Sequence, residues 1–212
     1  MEKGEINNNL KIFNDKYLKM FNDIKTNKKE KDRIVDIVND ILFAPKELMD
    51  FCQEELKKSP VDSNVLILGG GYGGEANRVK LQYKDYNLYT LDISEWGEKI
   101  GKEIIKNVNF ITGDMCYLDF KDDFFDIIFS THSLEHTPDI DKTMSEVYRV
   151  IKNNGVFGLG YPYKWQTDEQ HVYMFQDDLI EYMSAFGEVE DTESKEHQSR
   201  MLKVIIKKDE TL

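Results

Sequence analysis

The feature that most constrains this chain is one run, Val65-Leu66-Ile67-Leu68-Gly69-Gly70-Gly71-Tyr72-Gly73-Gly74. Four apolar residues without alternation suit a strand buried on both faces, as in the interior of a parallel sheet. The glycines that follow let the chain turn sharply and bring backbone amides close to a ligand with no Cβ in the way. A helical stretch through about Leu81 comes next, and its N-terminus offers unpaired N–H groups. Gly69, Gly71 and Gly74 fit a GxGxxG spacing, while Gly69, Gly71 and Gly73 fit GxGxG. The loop alone therefore points to a nucleoside-bearing ligand without choosing which one. Asp92, 23 residues after Gly69, ends the next strand, where a carboxylate accepts both ribose hydroxyls.

The rest of the chain repeats that rhythm. Strands are expected at Tyr86 to Leu91, Val108 to Thr112, Phe124 to Phe129, Val156 to Tyr161, Phe186 to Asp191 and Met201 to Lys207. Helices are expected at Ser94 to Ile105, Ile140 to Ile151 and Gln176 to Ala185, with Lys152-Asn153-Asn154-Gly155 as a capping turn. Strands alternating with helices predict an α/β fold, a doubly wound, seven-stranded, mostly parallel sheet. The closing pair of strands, joined by a short connection, predicts an antiparallel edge hairpin. Residues 1–60 read instead as helices, with Ile6, Leu10, Phe13, Tyr17, Met20, Phe21 and Ile24 on one apolar stripe. The expected division is an N-terminal helical extension over 1–60, a lid or a dimer surface, and a sheet domain over 61–212.

Charge narrows the partners. Residues 1–60 balance 12 basic against 12 acidic side chains, so the net charge of −12 belongs to the remainder. Such a body repels polyanions, which argues against nucleic acid. No apolar run approaches the roughly 18 residues of a membrane span, and no basic stretch leads into an apolar one near Met1, so a secretory signal is not expected. Cys52 and Cys116 stand far apart with no metal-ligand spacing. A cytoplasmic protein, monomer or homodimer, without a metal is the expectation.

The downstream segments carry a resemblance. Ile111-Thr112-Gly113-Asp114-Met115, Phe125-Asp126-Ile127-Ile128-Phe129-Ser130, Ser133-Leu134-Glu135-His136-Thr137-Pro138-Asp139 and Glu146-Val147-Tyr148-Arg149-Val150-Ile151-Lys152-Asn153-Asn154-Gly155 follow the glycine loop in order. In this series residues 65–160 resemble the class I S-adenosylmethionine-dependent methyltransferases of the compact small-molecule type. The resemblance implies a Rossmann-like methyltransferase fold, S-adenosylmethionine as cofactor and a small-molecule acceptor. It also implies cofactor contacts from Gly69, Gly71, Tyr72 and Gly73, from Asp92 to the ribose, from Ile93 to the adenine face, from Asp114 and Met115 to the adenine edge, and from Ser130 to the methionyl group.

His136 and His132, after the fourth strand, are candidates for a general base, needed only where the acceptor arrives protonated. Tyr161, Tyr163 and Trp165 offer aromatic surface to an apolar or cationic acceptor, and His171 lies nearby in sequence. Two rivals remain open: a non-catalytic S-adenosylmethionine-binding partner subunit, and an NAD-dependent oxidoreductase sharing the loop and Asp92. One departure favours the first rival. The family usually has an acid two positions before the first glycine, where Ile67 stands here, and Glu75 is a candidate substitute.

Overall fold

The computed structural model of the chain describes residues 3–39, 46–162, 176–194 and 199–208. Seven strands form one sheet: β1 (Asn64–Leu68), β2 (Asn87–Asp92), β3 (Asn109–Thr112), β4 (Phe125–Thr131), β5 (Ile151–Pro162), β6 (Gly187–Ser194) and β7 (Ser199–Ile206). Their spatial order is β3-β2-β1-β4-β5-β7-β6. β1 pairs in parallel with β2 on one side and β4 on the other, so the chain reverses its direction of travel across the sheet at β1. Crevices at such a switch point, beyond the carboxyl ends of the strands, are where open α/β sheets bind ligands. β7 inserts antiparallel between β5 and β6, which completes the expected edge hairpin.

Strand periodicity divides the core between the two faces. Leu66 and Leu68 point to one face, with Ile128, Phe157, Leu159, Met144, Val147, Leu179 and Met183. Val65 and Ile67 point to the other, with Ile127, Phe129, Ala76 and Val79. The helices that supply these side chains are α5 (Gly74–Gln82), α7 (Ile140–Val150) and α8 (Gln176–Ser184), while α6 (Glu95–Ile104) packs beside β2 and β3. α7 begins where Asp139 accepts from the Lys142 amide at 3.0 Å, an N-cap worth about 1 kcal/mol.

The described residues among the first 60 are mostly helical and do two jobs. α3 (Lys46–Phe51) and α4 (Gln53–Lys58) bury Leu48, Met49, Cys52 and Leu56 against Ile67, Ile127 and Phe129, so they complete the sheet's own core. α1 (Lys3–Thr26) and α2 (Lys28–Asn39) instead form a third cluster, in which Tyr17, Ile24 and Ile34 meet Ile100, Ile105 and Phe110. Lys25 and Lys31 both pair with Glu103, at 2.8 and 2.7 Å, and fasten this layer to α6.

One local expectation changes. Lys152-Asn153-Asn154-Gly155 does not separate α7 from a strand, because β5 already starts at Ile151. The turn is present, with Asn154 at φ +60°, but it bulges out of β5: Phe125 pairs with Ile151 and Ile127 with Val156. Extra residues are absorbed within the strand because the flanking positions, Ile151 and Val156, are both buried and paired.

Candidate active site

The glycine loop lies at the carboxyl end of β1, at the switch point. Gly69, Gly71 and Gly73 take φ values of +72°, +53° and +92°, a region that side chains with a Cβ rarely adopt. The turn is tied to β2, since the Gly69 and Gly70 amides donate to the Leu91 carbonyl at 2.8 and 3.1 Å. From below, Ser130 and Ser133 share a hydroxyl contact of 2.7 Å and Ser133 donates to the Leu68 carbonyl at 2.8 Å. A Cβ on Gly69 would stand 2.2 Å from the Ser133 Cβ, so this loop position is closed to any other residue without rearrangement.

Asp92 is half-buried beside the loop. Its Oδ2 accepts from the Gly71 amide at 2.8 Å and its Oδ1 from the Ser94 amide at 2.9 Å. Burial raises this carboxyl above the ordinary aspartate value, and the two amides pull it back. Each carboxylate oxygen keeps a further acceptor site, so two hydroxyl donors of a ribose fit this group. The Gly113 amide donates to the Asp92 carbonyl at 2.9 Å, which brings the Asp114–Met115 segment alongside. Asp114 accepts from the Cys116 amide at 2.8 Å, and both Asp114 and Met115 are half-buried. Arg149 and Glu146 clamp the connection that follows. Arg149 donates to the Leu118 and Phe120 carbonyls at 2.7 and 2.8 Å, while Glu146 accepts from the Leu118 amide at 2.7 Å. The Glu-x-x-Arg pattern thus holds the loop after β3 rather than touching a ligand.

On the other flank of the glycine loop stands Glu75, in the first turn of α5. Its Oε1 accepts from the Thr131 hydroxyl at 3.0 Å, so the carboxyl spans the gap between the carboxyl ends of β1 and β4. Burial pushes it up to about 7, against the Thr131 hydrogen bond and the nearby Arg78 guanidinium, which lower it.

Residues 66–159 match a family model described as a methyltransferase domain. Over these residues the chain resembles the class I S-adenosylmethionine-dependent methyltransferases. Among curated proteins it is similar to sterol 24-C-methyltransferase of Schizosaccharomyces pombe, 27% identical over 115 residues, which covers 51% of this chain and 29% of that one. It is also similar to sterol 24-C-methyltransferase of Pneumocystis carinii, 31% identical over 146 residues, covering 59% and 37% respectively. The chain therefore aligns with well under half the length of these relatives. In fold it resembles the PH0226 protein of Pyrococcus horikoshii, with a TM-score of 0.63 at 21% identity, covering 81% of this chain and 93% of that one.

Within the matched residues the expected cofactor positions lie side by side at the carboxyl ends of three neighbouring strands: Gly69, Gly71 and Gly73 after β1, Asp92 and Ile93 at the end of β2, and Asp114 and Met115 after β3. Ser130 lies beneath the loop, fully buried with its hydroxyl engaged by Ser133. Tyr72 turns its ring edge-on to Tyr17, with centroids 6.0 Å apart, and joins the α1 layer.

The acceptor side is less complete. His132 has φ +49°, and its amide donates to the Gly160 carbonyl at 2.9 Å. Its Nε2 lies 2.8 Å from the Ser199 hydroxyl and its Nδ1 3.9 Å from Glu135 Oε1. Glu135 is 2% exposed, and burial pushes its carboxyl up to about 7. His136 ends the short 3₁₀ turn Leu134–His136 and is half-buried. Tyr161 is 2% exposed and packs in the core with Leu159 and Leu202. Tyr163, Trp165 and His171 lie outside the described residues.

Sequence reasoning missed Tyr17. A Cβ on Gly71 would stand 2.7 Å from its hydroxyl oxygen, so α1 lays this side chain directly over the loop. Its phenol is pushed well above the ordinary tyrosine value by burial, then by the charge of Asp92. The only signal was its place on an apolar stripe, where a tyrosine reads as core.

Proposed function

We propose that the protein transfers the methyl group of S-adenosylmethionine to a small, largely apolar acceptor. The observation that carries this reading is Asp92, held by the Gly71 and Ser94 amides at the switch point with acceptor capacity left for a ribose. When bound, the cofactor supplies a methyl group already activated as a sulfonium, so the protein's task is alignment and exclusion of water. α1 serves that task as a lid rather than as a dimer surface: Tyr17 covers Gly71, and Asn14 meets the Ser94 hydroxyl at 2.6 Å.

His132 is the general base of this reading, and His136 the second candidate. The Ser199 hydroxyl fixes the His132 ring, and a proton gained at Nδ1 faces Glu135 Oε1. Ionisation of Glu135 then stabilises the imidazolium. Sterols are a reasonable first acceptor class, because the two curated relatives named above are sterol 24-C-methyltransferases. The acidic body argues against nucleic acid. Two buried free cysteines suit a reducing compartment, the cytoplasm.

Incubation with S-adenosylmethionine and a panel of sterols, other polycyclic alcohols and aromatic amines tests this, with S-adenosylhomocysteine release as the readout. Turnover with any acceptor is the expected result, reduced at least tenfold in His132→Gln. Tight cofactor binding without turnover on any acceptor would favour the second reading, a non-catalytic partner subunit, to which the apolar Ile67 lends support.

A further inference from the structure

The two flanks of the glycine loop differ in what they offer a ligand. On the β2 side, Asp92 presents acceptor sites suited to a diol. On the β4 side, the Glu75 carboxyl, from the first turn of α5, accepts from the Thr131 hydroxyl at the carboxyl end of β4. Position 67, on β1 between them, contributes no charge: Ile67 is fully buried, and its Cγ2 would lie 3.0 Å from a Cβ on Gly70. A ligand that spans this loop with a ribose over Asp92 directs its other end toward β4. In S-adenosylmethionine that end carries an ammonium group, whose three donors require an anionic acceptor when water is excluded.

We propose that Glu75 is the carboxylate that binds the ammonium of the cofactor's amino-acid portion, with Thr131 holding its side chain across the crevice. This inference rests on the reading of the crevice as an S-adenosylmethionine site. The geometry has a consequence for pH. The groups that face Glu75 are Thr131 from β4 and Arg78 from its own helix, and burial outweighs both, leaving the empty-site carboxyl at about 7. An ammonium at hydrogen-bond distance favours the ionised form and draws that value down. Binding below pH 7 therefore releases a proton, and affinity rises with pH until the free carboxyl is ionised.

The test is calorimetric titration of the full chain with S-adenosylhomocysteine and with 5′-methylthioadenosine, which keeps the adenosyl thioether but lacks the amino acid. Titrations at pH 6 and pH 8 are compared for wild type and Glu75→Gln. For the wild type, S-adenosylhomocysteine should bind about tenfold more weakly at pH 6 than at pH 8, since a group titrating near 7 is mostly protonated at the lower value. 5′-Methylthioadenosine should show no comparable change, and it controls for titration at Asp92. Glu75→Gln should weaken S-adenosylhomocysteine at least tenfold at pH 8 and flatten its pH dependence, with 5′-methylthioadenosine unaffected. Should that variant fail to fold, Thr131→Val removes the donor that favours the ionised carboxyl, and the pH midpoint should move upward. Equal weakening of both ligands in Glu75→Gln, an unchanged S-adenosylhomocysteine affinity, or an unmoved midpoint in Thr131→Val would overturn the assignment. Failure of the wild type to bind either ligand would instead overturn the reading of the site on which it rests.

Discussion

The carboxyl groups on either side of the glycine loop look alike in sequence and differ in kind. Asp92 is fixed by two backbone amides, one of them from the loop itself, so its position is part of the fold. Glu75 leans on a single hydroxyl and carries a carboxyl raised to about 7, so its charge depends on what arrives. A group held by backbone is ready before the ligand comes, and a group held by one side chain responds to it. The contrast separates what builds this site from what reads the ligand.

The sharpest way to break the comparison is Asp92→Ala. It removes the ribose acceptor and leaves the Gly71 and Ser94 amides without their partner. Charge-assisted bonds of this kind are worth about 1.5–3 kcal/mol each, so adenosyl ligands should bind at least about 100-fold more weakly, and the melting temperature should fall. A loss of affinity without any loss of stability would show that the carboxylate does not organise the loop. Gly69→Ala tests the loop from below. Its φ of +72° and the clash with Ser133 should cost about 2–4 kcal/mol in denaturant unfolding, and a neutral result would mean the loop can re-form another way.

Glu135 sharpens the contrast from the acceptor side, because its carboxyl is likewise raised to about 7, here in a side chain that is buried outright. Its folded value lies above its unfolded value, so the folded state binds more protons between roughly pH 4.5 and 7. Its contribution to stability is therefore lost as pH rises through that window. Glu135→Gln should stabilise the protein by on the order of 1–3 kcal/mol at pH 8 and by little at pH 4.5, measured by denaturant unfolding at the two values. Equal effects at both would place the carboxylate in a better-solvated setting. The smallest effect is expected from Tyr17→Phe, which keeps the ring over Gly71 and removes only the hydroxyl. S-adenosylhomocysteine affinity should change by no more than about fivefold, roughly 1 kcal/mol, while Tyr17→Ala opens the lid and should weaken it further.

Much of this is legible in the sequence alone. The unalternated apolar run at 65–68 and the apolar-rich stretch at 125–129, broken only by Asp126, place two central strands, and the glycine spacing with Asp92 places the ligand end of the sheet. These signals are local in sequence, set by backbone geometry within one βαβ unit, and so they survive reading one residue at a time. The Tyr17 hydroxyl over Gly71, the Ser199 hydroxyl on His132 and the Thr131 bond to Glu75 join residues more than 50 positions apart. Nothing in periodicity or spacing reports such pairs. Ser130 illustrates the limit from the other direction: a position at the right end of the right strand still buries its hydroxyl beneath the loop, because strand pleat decides which way it points.

The most direct measurement is a parallel calorimetric titration with S-adenosylmethionine, S-adenosylhomocysteine and NAD, on the wild type and on Asp92→Ala. Micromolar binding of the two adenosyl-sulfur ligands, lost in the variant and with no response to NAD, is the expected result. Binding of NAD alone, or adenosyl binding that survives Asp92→Ala unchanged, would contradict the assignment of this loop as a methyl-donor site.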